Sequence, residues 1–299
     1  MFSLNAILAD PWIGCQSIAI PDGGALPDAA RMGVWLADLH ASFTGAVRLR
    51  ALATRLSGLL GLPESSPLAR ACGLAADAVS AWRGHDYHSD GHHAEVAVNV
   101  VVLAAISAAA GEPVAREDAA VLLLAALTHD LLYMPGAAAP FTRERTAADA
   151  ADAIASRAGA GGGARALLRW LVLATEPSAR PLLAAAARGE AASLPGEIAR
   201  LPAHPDPVRL ATVLSDADLL SSAGLTLEWH REQASRLARE RGAPVDAGGE
   251  RAFFEHVVGH EFASAAGRHF AANLACIRAA VDAEALSAAP AQRPACSPA

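Results

Sequence analysis

The chain has 299 residues, of which 53% are hydrophobic, with 24 basic against 31 acidic side chains and a formal net charge of −7. That length and apolar share suffice for a sizeable packed core. The acidic balance argues against a protein that grips a nucleic acid polymer through its phosphates, although a small phosphate ester stays within reach because a bound metal can supply local positive charge.

Residues 1–27 are rich in Pro and Gly without clear periodicity and read as an irregular N-terminal wrap. Pro27-Asp28 opens a helix with Met32, Trp35, Leu36 and Leu39 on one face. Further helices are predicted over Gly45–Leu60, ended by Gly61-Leu62-Pro63, and over Pro67–Trp82. Ser89 or Asp90 is placed to cap a helix from Gly91 to Ala110, stopped by Gly111-Glu112-Pro113. Arg116–Leu132 and Pro140–Ala158 follow, then a flexible Gly159–Gly163 joint and a helix over Ala164–Thr175. The stretch 177–205 is mixed. Helices over Asp206–Ser222, Leu225–Arg241 and Arg251–Ala285 complete the pattern, and the proline-bearing tail 286–299 is expected to be disordered. No run alternates as a strand would, so the expected fold class is all-α. Gly161-Gly162-Gly163 is not followed by Lys-Ser/Thr nor preceded by a strand, so it reads as a linker rather than a phosphate-binding loop.

The four cysteines, Cys15, Cys72, Cys276 and Cys296, form no Cys-x-x-Cys pair. A zinc ribbon or thioredoxin-like site is therefore not expected, and the pattern fits thiols in a reducing, cytoplasmic compartment. No basic residue precedes Arg31, and Asp10-Pro11-Trp12 comes early, which is not the order of a secretory signal. The most apolar run, Ala94–Ala110, contains Glu95 and Asn99 and reads as a buried core helix rather than a membrane span.

Three clusters share one chemical vocabulary: Tyr87-His88-Ser89-Asp90-Gly91-His92-His93, Thr128-His129-Asp130 and Asp216-Ala217-Asp218-Leu219. Each interrupts an otherwise apolar helix. Burying His92, His129, Asp130 and Asp218 in such surroundings is costly unless they pair or bind a metal. Two imidazoles and two carboxylates suit an octahedral divalent ion (Mn, Mg, Fe, Co, Ni or Zn) that keeps positions open for water or substrate. His93 points about 100° away from His92 around the helix. Asp216 and Asp218 point about 200° apart, so only one of them is expected to face a metal.

The combination resembles the HD superfamily of metal-dependent phosphohydrolases. Tyr87-His88-Ser89-Asp90-Gly91-His92 is similar to the Tyr-His-Asn-x-x-His element of its small bacterial members and of class I cyclic-nucleotide phosphodiesterases, and His93-Ala94-Glu95-Val96 to the Ala-Ala-Asp-Val that follows in the phosphodiesterases. Asp216-Ala217-Asp218-Leu219, Glu144-Arg145-Thr146-Ala147 and Ala271-Ala272-Asn273-Leu274 resemble the bacterial group's Asp-Ala-Asp-Leu, Glu-x-Ser-Ala and Ala-x-Asn-Leu. The resemblance spans roughly residues 80–280. It implies a single HD-domain-like helical bundle over 81–285, with 1–80 as an N-terminal helical extension packed on it.

It further implies His92, His129, Asp130 and Asp218 as metal ligands, His88 as the general acid, and Asp130 as an orienting group for the nucleophile. Tyr87, Glu95, Tyr133, Glu144 and Arg83 are candidates for supporting a ligand or meeting substrate. The chain departs from its relatives at Ser89, where they carry Asn, at Leu131-Leu132-Tyr133, where phosphodiesterases place another histidine, and at Glu176, where small members carry one. The implied activity is hydrolysis of a phosphate ester of a nucleotide or other small molecule. A cyclic-nucleotide phosphodiesterase, an HD-type di-iron oxygenase and a non-catalytic helical ligand-binding protein are the competing readings.

Overall fold

The computed structural model describes residues 3–13, 26–43, 48–82, 85–136, 138–244, 247–259 and 261–288. Fourteen α-helices appear among them and no strand, so the chain is all-α. They are α1 (Leu4–Leu8), α2 (Ala29–Ala41), α3 (Leu49–Leu59), α4 (Pro67–Ala81), α5 (Asp90–Ala109), α6 (Arg116–Thr128), α7 (Thr142–Arg157), α8 (Gly162–Leu173), α9 (Arg180–Ala187), α10 (Gly196–Ala199), α11 (Pro207–Ala223), α12 (Leu227–Arg241), α13 (Ala247–Phe253) and α14 (Ala271–Ala288). Short side chains set many of the starts. Ser3, Asp28, Ser66, Asp206 and Thr226 each accept a hydrogen bond from a free N–H of the first turn.

The centre of the molecule is α5. Sixteen of its residues, from His92 to Ser107, are buried without a break. An apolar helix with no polar face has to be surrounded, and α5 packs on α6, α11, α3, α4, α2 and α1. It is long and apolar enough to cross a membrane, yet 89% of its most apolar window is covered by the rest of the chain. Core residues on both sides of residue 80, such as Leu36, Leu56, Leu103 and Leu214, belong to one hydrophobic cluster.

Several boundaries differ from the sequence reading. The N-terminal wrap contains α1, because Ser3 caps it and Leu4, Ile7 and Leu8 reach the core. Residues 14–25 and 44–47 lie outside the described residues. Gly162 and Gly163 are not a joint but the first turn of α8. The stretch 177–205 holds a 3₁₀ turn (Pro177–Ala179), α9 and α10. The one or two helices expected over Arg251–Ala285 are α13 and α14, separated by a π turn (Phe254–Val258) and a 3₁₀ turn (Gly267–Phe270). α14 runs on to Ala288, past the expected start of the tail, and the remaining tail residues lie outside the described ones.

Candidate metal centre

Ser89 sits at the N-cap of α5 but makes no side-chain capping bond. Asp90 is the first helical residue, and its carboxylate accepts from the Ser80 hydroxyl at 3.1 Å. α5 therefore starts one residue before Gly91, which puts His92 in its first turn and His88 just outside it. α6 stops at Thr128, earlier than expected, and His129 is its C-cap. The chain then reverses through Leu132, whose φ of 65° is a left-handed conformation that side chains adopt only at a cost. This reversal leaves Asp130 at the end of α6 and turns Tyr133 back toward His88.

The four expected ligands come from three helix segments and converge. His92 Nε2 lies 3.3 Å from His129 Nε2, 3.4 Å from Asp130 Oδ2 and 3.2 Å from Asp218 Oδ1. His129 Nε2 lies 3.2 Å from Asp130 Oδ2 and 3.6 Å from Asp218 Oδ1. Donors about 2.1 Å from one ion stand about 3.0 Å apart at right angles and about 3.4 Å apart at tetrahedral angles, so the spacings among His92, His129 and Asp130 fit donors grouped around a single cation, with Asp218 adjoining the two imidazoles. The imidazoles are buried, and the two carboxylates keep 23% and 27% of their side-chain surface open. That leaves one face accessible to a small molecule.

The tautomers suit the same purpose. His129 Nδ1 donates to the Ala126 carbonyl at 3.0 Å, which leaves a lone pair on Nε2 for the cluster. His92 Nδ1 is buried without a hydrogen-bond partner among the described residues. Asn99, two turns along α5, donates to the Ala217 carbonyl at 2.8 Å and to Ser221 Oγ at 3.1 Å. That pins α11 to α5 beside Asp218.

The electrostatics favour positive charge at this point. Burial works against protonating His92, but Asp130 and Asp218 outweigh it and hold the imidazole at about 9. Burial likewise opposes charge on His129, and the same carboxylates raise it well above its ordinary value. Burial pushes Asp130 and Asp218 up, yet the imidazoles bring both well below the usual carboxylate range. A divalent cation would meet the same two anions with no proton needed on either ring. The donor set thus fits a metal.

His88 lies at the open edge of the cluster, with Nε2 3.8 Å from Asp130 Oδ2. Its Nδ1 is 2.5 Å from Glu240 Oε1 on α12. Glu240 Oε2 accepts from the backbone N–H groups of Tyr87 and His88 at 2.9 and 3.0 Å. Burial raises the Glu240 carboxyl, but its bonds to His88 and to those two N–H groups bring it down to about 2. Nothing in the sequence marks Glu240 out, since it sits among arginines on a helix that reads as an ordinary polar face. On the other side, the Tyr133 ring stacks on His88 with centroids 3.6 Å apart, and the Arg143 guanidinium lies 4.6 Å from the Tyr133 ring.

The remaining candidates separate. Tyr87 packs beside His92 with ring centroids 4.9 Å apart, and its hydroxyl is hydrogen-bonded to Ser222 Oγ at 2.9 Å. Glu95 faces no solvent. It is fully buried and accepts from Arg236 at 3.0 Å and Gln233 at 2.8 Å. Glu144 is half-buried, and burial together with the nearby Glu176 and Asp130 raises its carboxyl to about 7. Asp216 is turned away from the cluster and held by Arg180 and by the N–H groups of Ala263 and Ser264. Burial depresses the His93 imidazole to about 3, and its ring packs edge-on against those of His92 and His129. Arg83, proposed to meet a phosphate, lies outside the described residues.

No known family profile matches the sequence, and no curated protein matches it. Solved structures do. The phosphodiesterase domain of Salpingoeca rosetta rhodopsin phosphodiesterase is 17% identical, with a TM-score of 0.65 over 88% of this chain and 96% of that one. The phosphodiesterase domain of the RhoPDE fusion protein from the same choanoflagellate is 15% identical, with a TM-score of 0.56 over 84% and 91% of the two chains. LmjPDEB1 in complex with IBMX is 17% identical, with a TM-score of 0.54 over 95% and 97%. The chain therefore has the all-α fold of phosphodiesterase domains.

Proposed function

We propose that the protein is a metal-dependent phosphohydrolase acting on a phosphate ester of a nucleotide or other small molecule. The observation that supports this most is the convergence of His92, His129, Asp130 and Asp218 with His88 at their open edge. A divalent metal held there supplies Lewis acidity toward a phosphoryl oxygen and makes water nucleophilic near neutral pH.

His92 Nε2, His129 Nε2, Asp130 and Asp218 are the proposed ligands. Asp130 also lies 3.8 Å from His88 Nε2, where it can orient the attacking water. Glu240 fixes the His88 ring through Nδ1, so that Nε2 faces the site and can hand a proton to the departing alkoxide. Tyr133 stacked on the ring limits its rotation. The fold shared with phosphodiesterase domains favours a diester over a monoester substrate within this reading.

The test is a metal-analysed sample assayed against cyclic nucleotides, nucleotides and general phosphoesters, alongside His129→Ala and Asp130→Ala. Hydrolysis that disappears in both variants is expected. Unchanged hydrolysis in either one, or two irons per chain with oxygen uptake, would overturn the reading.

A further inference from the structure

The turn that follows α1 is fixed from two sides. Asp10 is buried; its Oδ1 accepts from the N–H groups of Trp12 and Ile13 at 2.9 and 3.2 Å, and its Oδ2 accepts from Arg55 Nε on α3 at 2.5 Å. Ile13 enters the core, whereas Trp12 beside it keeps 57% of its surface exposed. An indole held outward by an ordered turn forgoes the burial its ring would otherwise gain, and large exposed apolar surface of this kind marks a binding face.

Trp12 lines an open cavity of about 910 Å³ along α3, together with Arg48, Arg50, Thr54, Arg55 and Glu64. Neither His88, Glu240 nor any of the four converging ligands lines it. In a chain of net charge −7, three arginines here fall within eight residues. Two of them are matched, Arg50 by Asp77 and Arg55 by Asp10. Arg48, the N-cap residue of α3, is exposed and has no carboxylate partner among the described residues. Glu64 is likewise exposed without a cationic partner among them. The Thr54 hydroxyl donates to the Arg50 carbonyl at 2.9 Å, which leaves its oxygen as an acceptor. The cavity thus offers one flat aromatic face, one unmatched guanidinium and two acceptors.

We propose that this cavity binds a nucleoside monophosphate at a second site, separate from the metal centre. The base stacks on Trp12, as any nucleobase can stack on an indole. The phosphate pairs with the fork of Arg48, and the ribose hydroxyls donate to Glu64 and to Thr54 Oγ1. With a single unmatched cation and an unmatched carboxylate on the wall, one phosphate is favoured over three. The proposal does not rest on the hydrolase reading.

The probe is adenosine 5′-monophosphate, with adenosine as the same base without phosphate and ribose 5-phosphate as the same phosphate without the base. The titrations are made by calorimetry on the full chain and on Asp218→Ala, which lacks a proposed metal ligand. In both, the monophosphate is expected to bind at least about tenfold more tightly than either part. Trp12→Ala is expected to weaken it about tenfold, to the level of ribose 5-phosphate, and Trp12→Phe to restore most of the loss. Arg48→Ala is expected to bring it to the level of adenosine. Both side chains are largely exposed, so both variants are expected to fold. Equal affinity for the three compounds, no binding of the monophosphate, unchanged affinity in Trp12→Ala or Arg48→Ala, or binding lost in Asp218→Ala would each overturn the proposal. Binding is read in a chain whose metal centre is disabled, so failure here is distinguishable from failure of the hydrolase reading.

Discussion

His88 and Glu240 form the pair on which the proposed chemistry turns at the residue scale. Removal of a general acid ordinarily lowers turnover by about 10²–10⁴-fold. His88→Ala is therefore expected to lose kcat in that range while still binding metal, because His88 is beside the four proposed ligands and not among them. Glu240→Gln keeps the shape of the contact but gives up the charge facing His88. Glu240 ionises at about 2 against an ordinary 4.5. A carboxylate depressed in this way contributes stability that is present above pH 4.5 and lost as the pH falls toward 2. Acid unfolding of the Glu240→Gln variant, followed by circular dichroism, is expected to be less steep in that window than that of the parent. Glu144 behaves in the opposite sense. Its carboxyl is raised to about 7, so its contribution is present below pH 4.5 and is lost as the pH rises through 7. Glu144→Gln is expected to raise the melting temperature at pH 8 and to leave it nearly unchanged at pH 4.

At the scale of elements, α5 carries the design. Its first turn holds His92, its middle packs on α6 and α11, and Asn99 and Glu95 tie it to α11 and α12. The Glu95–Arg236 pair is buried, at 0% and 7% side-chain exposure. Removing one partner of such a pair typically costs about 3–5 kcal/mol, because the other charge is left buried and alone. Glu95→Ala is expected to lose stability in that range in urea denaturation, and Glu95→Ala with Arg236→Met is expected to recover most of it.

The sequence made α5, α6 and α11 legible through their apolar runs and the His and Asp that interrupt them. Their ends were less so. Nothing in Thr128-His129-Asp130-Leu131-Leu132 signals that the helix stops at Thr128 and that Leu132 turns left-handed. Glu95 shows the same limit. Its helical position beside His92 fits a group that supports a ligand, and only the arrival of Arg236 and Gln233, about 140 positions later in the chain, decides its partners. Glu240 was invisible for the same reason, since its role exists only once α12 folds back over the start of α5.

At the scale of the whole molecule, the fold holds a cluster of buried imidazoles and partly open carboxylates that a divalent ion would join. A ligand that binds only the native state stabilises it in proportion to the logarithm of its concentration over Kd. Exhaustive chelation is therefore expected to lower the melting temperature of the parent and to leave that of Asp218→Ala nearly unchanged.

The most direct measurement is metal content and phosphoester hydrolysis determined on the same preparations of the parent, His92→Ala, His129→Ala and Asp218→Ala. Divalent metal is expected to co-purify with the parent, and both the metal and hydrolysis of at least one small phosphate ester are expected to be lost in all three variants. Variants that retain metal and hydrolyse phosphoesters at the parent's rate would contradict the proposed function.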